Sequence, residues 1–218
     1  MIPLLHDFTD ATVLIFGGGS VGARKARRFA READVVVVGP VFGDRSFGGA
    51  DLIRATPSPD EIEEWLERTS PALVVAATDD ERVNDAVSEA ADDRSILCNR
   101  TDRAGGRRPR SVVVPATVRE DPVVVSISTG GTAPAVSKYL RRELEETLAG
   151  AGEMATLCGE LREVLKARDV EPDRRRKLVT DVANSPEVWT ALRSGVPNDR
   201  QVIEDVLGEE FPAGGERT

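Results

Sequence analysis

The sequence predicts an α/β protein in which helices cover both faces of a parallel sheet, followed by a second part that is mostly helical. Three observations predict this class. Short apolar, β-branched runs alternate with helical patterns over roughly the first hundred residues. A glycine-rich turn directly follows the first of these runs, and only helical patterns are found from residue 153 onward. Continuous apolar strands that alternate with helices are typical of parallel sheets buried on both faces.

Five strands and three helices are predicted in the first part of the chain. The strands are expected at 12–16, 35–38, 51–54, 72–77 and 95–98. The helices are expected at 21–32, 58–68 and 81–91. Pro59 would lie in the first turn of the second helix, where its missing N–H costs no hydrogen bond.

The pattern changes after residue 103. Two strands are expected at 111–115 and 122–128, separated by a turn near 119–122. Helices are expected at 133–148, 153–168, 172–183, 186–194 and 199–207. The last residues, 209–218, are rich in Gly, Pro and Glu and are expected to be a flexible tail.

Length and composition exclude several classes of protein. With 218 residues, of which 40% are hydrophobic, the chain can bury a core and is globular. The formal net charge of −9 argues against nucleic acid as the main partner. No apolar run approaches the roughly 20 residues that cross a bilayer, and the N-terminus lacks the pattern of a signal peptide. Neither a nucleic acid nor a membrane is therefore an expected partner.

The two cysteines and the lone histidine are not expected to form a disulfide or a metal site. Cys98 and Cys158 are isolated, which suggests free thiols in a reducing compartment and predicts a cytoplasmic protein. His6 precedes the first predicted strand and is expected at the surface. Because no Cys/His cluster has the spacing of metal ligands, no metal site is expected.

The residues from Gly17 to Gly22 contain the pattern G-x-G-x-x-G. The pattern alone is weak, but here it follows a predicted strand and opens a predicted helix, as a dinucleotide-binding turn requires. Gly17 would permit the tight turn, Gly19 would let a pyrophosphate approach the backbone, and Gly22 would let the helix pack closely. The helix start would add free N–H groups and a positive dipole end. A Rossmann domain is therefore predicted, with a ligand-free glycine turn as the alternative.

The sequence at the end of the second strand does not indicate whether the cofactor is NAD or NADP. Many Rossmann domains place Asp or Glu there to hold the ribose hydroxyl. Here the strand ends in Val38-Gly39-Pro40-Val41, which contains no acid. Gly39 and Pro40 would let the adenosine lie against an uncharged backbone.

Two further strand ends fall on the same edge of the predicted sheet, where ligands of open α/β sheets bind. Thr78 and Asp79 follow the fourth strand and are expected near the nicotinamide half, whereas Asp80 serves equally well as a helix cap. Asp102 follows the fifth strand. An apolar cleft there would raise the pKa of its carboxylate and make it a general base. An aspartate in a surface loop is the alternative.

Two loops carry candidate substrate contacts. Arg107, Arg108 and Arg110 would suit a substrate with many carboxylates, because guanidinium pairs bidentately with carboxylate. A solvated charged loop is the alternative. The turn at 128–133 leads from a strand to a helix and offers hydroxyl and N–H groups to an anion. It would serve equally as an ordinary capped helix start, with Pro134 in the first turn.

Five motifs follow one another along the first 150 residues. They are Gly17–Lys25 (GGGSVGARK), Val74–Asp80 (VVAATDD) with Asn84, Asn99-x-x-Asp102, Pro115-Ala116, and Ser126–Pro134 (SISTGGTAP) with Arg141. In order and spacing they resemble precorrin-2 dehydrogenases and the N-terminal half of siroheme synthases over about residues 1–150.

The resemblance implies an enzyme that oxidises precorrin-2 to sirohydrochlorin with NAD⁺, on the route to siroheme and cobalamin. It implies a homodimer with a Rossmann domain at 1–112, a central dimerisation region at 113–150 and a helical C-terminal domain at 151–208. The family's catalytic aspartate aligns with Asp102, which would act as a general acid or base.

The resemblance maps the family's cofactor contacts to Ser20 and Val21 in the glycine turn and to the stretch Gly39-Pro40-Val41. With the residues indicated by the motifs and strand ends, the candidate cofactor contacts are Gly17, Gly19, Ser20, Val21, Gly22, Gly39, Pro40, Val41, Thr78 and Asp79. The candidate contacts to a carboxylate-rich substrate are Asn99, Arg107, Arg108, Arg110, Thr129, Gly130 and Gly131.

Three alternatives stay open at this point, of which the least specific is another small NAD(P) oxidoreductase. Some relatives also insert the metal, which would make this chain a bifunctional dehydrogenase and sirohydrochlorin ferrochelatase. A function of another class is an NAD-sensing regulatory module of a potassium transporter, since such modules share the glycine pattern and the Thr-Asp-Asp strand end. They usually carry an acid after the second strand, which this chain lacks, and a β-rich ligand domain in place of helices.

Overall fold

The computed structural model describes residues 2–103 and 108–194. The chain divides into two compact units, Met1–Val114 and Pro115–Thr218. The predicted helix at 199–207 and the predicted tail at 209–218 lie outside the described residues.

The first unit is built on a five-stranded parallel sheet. Its strands are β1 (Thr12–Phe16), β2 (Asp34–Gly39), β3 (Asp51–Arg54), β4 (Leu73–Ala76) and β5 (Leu97–Arg100). The spatial order is β3-β2-β1-β4-β5, so the strand order reverses between β1 and β4. In open α/β sheets, ligands bind at such a switch point, beyond the carboxyl ends of the strands.

Helices cover both faces of this sheet, as the sequence predicts. They are α1 (Ser20–Phe29), α2 (Ile62–Thr69) and α3 (Glu81–Asp93). Because side chains alternate along a strand, β1 supplies two cores. Leu14 and Phe16 pack with residues of α2 and α3, whereas Val13 and Ile15 pack with residues of α1. Burying each of these four side chains stabilises the fold by roughly 1.5–3 kcal/mol, which explains why β1 is apolar throughout.

The second unit contains an antiparallel pair of strands and a set of helices. The strands are β6 (Ala116–Glu120) and β7 (Val123–Ile127), and the helices are α4 (Pro134–Thr147), α5 (Ala151–Ala167), α6 (Pro172–Ala183) and α7 (Pro186–Ser194). One apolar stripe of α5 repeats every three to four residues and packs against α6 and α7. Its core consists of Met154, Leu157, Leu161, Leu165, Val182 and Val188.

Two strand positions differ from those predicted. The strand expected at 111–115 is wrong, because Ser111 makes only an isolated bridge to Cys98 and the strand begins at Ala116. β5 runs from Leu97, two residues later than expected, because Ser95 takes a positive φ of 61° in the connection that follows α3. Residues 99 and 100 therefore belong to the sheet and not to the loop after it.

The helices of the described ranges do not have the character of membrane spans. None of them is both long and apolar enough to cross a bilayer.

Candidate functional site

The glycine turn between β1 and α1 is shaped by close contacts of the main chain. Gly17 has a φ of +123°, and a Cβ there would lie 2.2 Å from the carbonyl oxygen of Ala77, beside the end of β4. A Cβ at Gly22 would lie 1.8 Å from the carbonyl oxygen of Gly17. Both distances are shorter than any real Cβ contact, so these positions require glycine for the turn to close and the helix to pack.

Gly19 is different, because no atom lies within 4 Å of the place where its Cβ would be. It is the N-cap residue of α1, where no side chain caps the helix and no acid lies in the first turn. Gly19 and Ser20 are both exposed. The N–H groups and positive dipole end of α1 are thus accessible at the switch point, which suits the pyrophosphate of a dinucleotide.

The end of β2 packs against this turn. A Cβ at Gly39 would lie 2.6 Å from the amide nitrogen of Gly18, and a Cβ at Gly18 would lie 2.2 Å from the carbonyl oxygen of Val41. Gly39 is therefore required by the contact between β2 and the turn. Pro40 and Val41 are exposed, Val41 by 69% of its surface, and they form an uncharged edge beside the turn.

Asn84 closes the turn that follows β4. It is 1% exposed, its Oδ1 accepts from the Thr78 amide at 3.2 Å and hydroxyl at 2.9 Å, and its Nδ2 donates to the Thr78 carbonyl at 2.9 Å. Asp80 Oδ1 accepts from the amide of Arg82 at 2.9 Å, so the interpretation of Asp80 as the cap of α3 is confirmed. Asp79 is exposed at the same edge. The structure thus brings Thr78 beside the glycine turn, where its amide nitrogen lies 3.2 Å from the Cβ position of Gly17.

Asp102 is held by an ion pair that sequence reasoning missed. Arg100, the last residue of β5, donates from Nε to Oδ1 of Asp102 at 3.0 Å and from Nη2 to Oδ2 at 2.5 Å. Its Nη1 donates to Asp85 of α3. The Arg100 side chain is 13% exposed and that of Asp102 is 25% exposed. Arg100 therefore forms a bidentate ion pair with the Asp102 carboxylate, a guanidinium fork with two hydrogen bonds, which is a strong and directional interaction.

The expectation that an apolar cleft raises the pKa of Asp102 is wrong. The hydrogen bonds from Arg100 lower the pKa of Asp102 and outweigh its partial burial, which acts in the opposite direction. The Asn84 side chain lowers this pKa further. At neutral pH Asp102 is therefore an ionised carboxylate that can accept a proton or a hydrogen bond.

The predicted arginine contacts have partners on α3. Arg108 Nη2 lies 2.9 Å from Glu89 Oε1, and Arg110 Nη1 lies 3.1 Å from Asp92 Oδ1. Both arginine side chains are almost half exposed. A substrate carboxylate that reached them would compete with these acids. Arg107 lies outside the described residues.

Asn99 is buried in β5 and only partly satisfied. It is 5% exposed, and its Nδ2 donates to the carbonyl oxygen of Val112 at 2.7 Å. Its Oδ1 is buried and has no hydrogen-bond partner in the described part of the chain. Buried amide oxygens are normally paired, since leaving one unpaired costs roughly 1–3 kcal/mol. Asn99 thus offers an acceptor that the fold itself does not use.

The second glycine turn lies in the second unit. Gly130 and Gly131 have φ angles of +67° and +89°, in the left-handed region that favours glycine. The Thr129 hydroxyl lies 3.2 Å from that of Ser137, and the Thr132 hydroxyl donates to the Thr129 carbonyl at 2.6 Å. The turn is therefore fixed by a hydrogen bond within it and by one to Ser137 near the start of α4.

The two cysteines are not activated as nucleophiles. Cys98 and Cys158 are free thiols, and burial raises the pKa of each. Residues 2–103 and 108–194 contain no group of three or more His, Cys, Asp or Glu side chains that could hold a metal ion.

Comparisons with known proteins place this geometry in a family. A family model described as "Putative NAD(P)-binding" matches residues 4–116, just over half of the chain. A precorrin-2 dehydrogenase from Methanosarcina barkeri is 33% identical over 200 residues, which cover 88% of this chain and 86% of that protein. The chain belongs to the precorrin-2 dehydrogenase family. The resemblance carried by the five motifs is confirmed.

Longer relatives and a solved structure agree with this assignment. A siroheme synthase from Escherichia coli is 34% identical over 99% of this chain and 47% of its own length, and one from Nitrosospira multiformis is 34% identical over 85% and 40%. The chain thus spans less than half of these siroheme synthases. The structure titled SirC, precorrin-2 dehydrogenase, has a TM-score of 0.68 at 20% identity, covering 97% of this chain and all of that one. It shows that the fold is shared.

Proposed function

We propose that this protein uses NAD⁺ to oxidise precorrin-2 to sirohydrochlorin in tetrapyrrole biosynthesis. The observation that carries the proposal is the open, uncapped start of α1 at Gly19, at the switch point of a chain that belongs to the precorrin-2 dehydrogenase family. Two hydrogens leave precorrin-2, one as a hydride with its electron pair and one as a proton. When bound, NAD⁺ would supply the hydride acceptor for this oxidation.

The glycine turn and its neighbours would hold the dinucleotide. The accessible N–H groups of Ser20 and Val21 at the start of α1 would bind the pyrophosphate, since Gly19 adds no side chain to block it. The uncharged edge at Pro40 and Val41 would support the adenosine. Thr78 and Asp79 would line the nicotinamide half, with the main chain there fixed by the buried Asn84 amide.

Asp102 would take the proton. Its carboxylate is ionised at neutral pH, and the fork from Arg100 fixes the plane of its two oxygens. Because Arg100 lowers the pKa of Asp102, the proton that it accepts passes on readily to solvent or product. General-base catalysis typically accelerates a reaction about 10²–10⁴-fold, and the lowered pKa of Asp102 places its contribution at the lower end of that range.

The arginine loop of the first unit would bind substrate carboxylates, and the second glycine turn is by itself a candidate anion site. Arg107, Arg108 and Arg110 offer guanidinium groups, of which the latter two are almost half exposed. In the second glycine turn Thr129 offers a hydroxyl and Gly131 an N–H group, whereas the Gly130 N–H donates to the Ser128 hydroxyl at 3.3 Å. The unpaired Oδ1 of Asn99 would accept from a ligand N–H.

We also propose a homodimer formed through the central region, residues 113–150. Helix α4 has no buried residue, and Val136, Tyr139 and Leu140 are 48%, 57% and 39% exposed on one stripe. A second copy of the chain would cover this stripe. The free thiols of Cys98 and Cys158 support a reducing, cytoplasmic location.

An anaerobic turnover assay tests the activity. Precorrin-2 and NAD⁺ are incubated with the protein, and sirohydrochlorin and NADH are quantified against a reaction without protein. We expect the two products to form in equal amounts. A parallel reaction with NADP⁺ in place of NAD⁺ measures which cofactor the protein prefers. Failure to form sirohydrochlorin would refute the proposal. Adding Fe²⁺ or Co²⁺ to sirohydrochlorin, with and without protein, tests the ferrochelatase alternative separately.

A further inference from the structure

Arg100 occupies an inner position that neither the glycine motif nor the family motif specifies. It is the last residue of β5, in register with Ala76 of β4, and its side chain is 13% exposed. The motif Asn99-x-x-Asp102 leaves position 100 open. Three guanidinium nitrogens are nevertheless in use, with Nε and Nη2 on Asp102 and Nη1 on Asp85 of α3.

We propose that Arg100 is a positioning residue for the dehydrogenation, which fixes the orientation of the Asp102 carboxylate while Asp85 fixes Arg100. The proposal rests on the proposed function, in which Asp102 takes the proton. Arg100 itself donates no proton and touches no reacting atom. It acts only through the carboxylate that it holds.

The backbone at Asp102 explains why such a hold is needed. Residues 101 and 102 form a bend after β5, and Asp102 is exposed there although its side chain is only a quarter exposed. An aspartate in a bend rotates freely about its side-chain bonds unless a partner restrains it. A guanidinium fork sets the plane of the carboxylate, which a point charge such as an ammonium does not.

The restraint extends from β5 to α3 through an alternating chain of charges. Arg103 donates to Glu81 and, from Nη1, to Asp85 Oδ1 at 3.2 Å. Glu81 and Asp85 lie four residues apart, on one face of α3. The order of charges is therefore Glu81, Arg103, Asp85, Arg100 and Asp102. Each acid along this chain contacts at least one arginine, so the Asp102 carboxylate is tied to a helix as well as to its strand.

The charges around Asp102 fix the sign of the pH effect. In the described ranges, Arg100 on β5 contacts Asp102 directly, and Asp85, Arg103 and Glu81 are linked to it through Arg100. The Cys98 thiol of β5 also interacts with Asp102, since burial raises the pKa of that thiol and the Asp102 carboxylate raises it further. Removing Arg100 would leave the carboxylates of Asp102 and Asp85 without the cation between them. The pKa of Asp102 would then rise, and the ionised form needed to accept a proton would be lost at a higher pH.

Three variants and a matched control test the proposal. Arg100→Gln removes the fork, Arg100→Lys keeps a charge without the fork, and Asp85→Asn removes the outer anchor but leaves the Arg100–Asp102 pair. The control is Arg94→Gln, because Arg94 is also mostly buried and also pairs with two carboxylates, those of Glu63 and Glu67. For each variant, kcat and KM for NAD⁺ and precorrin-2 are measured across pH, and thermal unfolding and NAD⁺ binding verify folding.

Arg100→Gln should lower kcat about tenfold to a hundredfold, as expected when a reacting group is misplaced, with KM for NAD⁺ unchanged. The acidic limb of its pH–rate profile should move to higher pH. In Arg100→Lys the acidic limb of the pH–rate profile should stay nearer to its wild-type position, because the positive charge is kept. Its kcat should still fall, because the fork is lost. Asp85→Asn should lower kcat less and should not move the limb upward, because it removes a negative charge. Arg94→Gln should resemble the wild type.

A titration without substrate separates this proposal from the proposed function. Carboxyl carbon NMR of the ¹³C-Asp-labelled protein, with the Asp102 signal assigned from Asp102→Asn, should show a higher pKa of Asp102 in Arg100→Gln than in the wild type. If the pKa of Asp102 were the same in Arg100→Gln as in the wild type, or if kcat and the pH profile were unchanged, the positioning role of Arg100 would be overturned. The catalytic role of Asp102 would still stand in that case, provided that Asp102→Asn is inactive. Full turnover by Asp102→Asn would overturn both.

Discussion

The glycine turn and the Asp102 corner lie at the same edge of the sheet but are built in different ways. The turn is made by main-chain contacts, in which Gly17, Gly22 and Gly39 are fixed by carbonyl and amide groups within 3 Å of their missing Cβ atoms. The corner is made by charged side chains from three elements, centred on the fork between Arg100 and Asp102. A main-chain site requires certain residue types at fixed spacing, whereas a side-chain network requires a particular packing of distant segments.

The largest expected effect belongs to the corner. Asp102→Ala should reduce turnover about a hundredfold or more, since a positioned general base typically contributes that much. NAD⁺ affinity should be unchanged, because Asp102 takes no part in the glycine turn. Steady-state turnover and calorimetric titration with NAD⁺ measure the two effects. Wild-type turnover in this variant would remove Asp102 from the mechanism.

A matched pair of glycine substitutions separates ligand contact from packing within the turn. Gly19→Ala should leave the fold intact, because its new Cβ meets no atom within 4 Å, but should weaken NAD⁺ binding about tenfold or more by crowding the pyrophosphate. Gly22→Ala adds the same methyl group 1.8 Å from a carbonyl oxygen and should destabilise the protein by about 3 kcal/mol.

Calorimetric NAD⁺ titration and chemical unfolding measure this pair. If Gly19→Ala bound NAD⁺ with wild-type affinity, the dinucleotide would not cross the start of α1. If Gly22→Ala were as stable as the wild type, α1 would not pack against the Gly17 carbonyl as closely as the structure shows.

The pH dependence of stability tests the electrostatics of the corner. Arg100 lowers the pKa of Asp102 in the folded protein, so their pair stabilises the fold above the ordinary pKa of aspartate. That stabilisation is lost as the pH falls through the lowered, folded-state pKa. The difference in unfolding free energy between wild type and Arg100→Gln should therefore be largest near neutral pH and should shrink on acidification. A difference that grew in acid would contradict the lowered pKa of Asp102.

The smallest stability effects are expected in the arginine loop. Arg108→Gln and Arg110→Gln break ion pairs to Glu89 and Asp92 that are almost half exposed, and such pairs contribute less than about 1 kcal/mol. If these arginines bind substrate carboxylates, KM for precorrin-2 should rise while stability barely changes. Unfolding in urea and the KM for precorrin-2 measure the two effects. A large loss of stability without a change in KM would assign both residues to the fold alone.

The parts of the molecule that follow from local pattern could be predicted from the sequence. The buried strands and the positions of Gly17, Gly19 and Gly22 follow from apolar runs and glycine spacing, and the structure shows the same elements. The strand at 111–115 could not be predicted correctly, because an apolar run there pairs only at Ser111 and leads into β6. The spacing of apolar residues does not reveal whether such a segment pairs with a neighbouring strand or only connects two elements.

The pKa of Asp102 could not be predicted for a related reason. Its direction depends on Arg100, which the late start of β5 places inside the sheet. Arg100 is held in turn by Asp85, which α3 carries fifteen residues earlier in the chain. Sequence spacing does not reveal that these three side chains meet. Gly39 illustrates the same limit, since its need for glycine comes from the amide of Gly18 on another element.

Transfer of an isotopic label tests the central claim most directly. Precorrin-2 that carries deuterium at the carbon to be oxidised is converted anaerobically with unlabelled NAD⁺, and the recovered nicotinamide cofactor is analysed by mass spectrometry. A dinucleotide bound across the start of α1, with its ring at the mouth of the sheet, should receive the deuterium as hydride. Sirohydrochlorin formed alongside unlabelled cofactor would contradict this role of the dinucleotide.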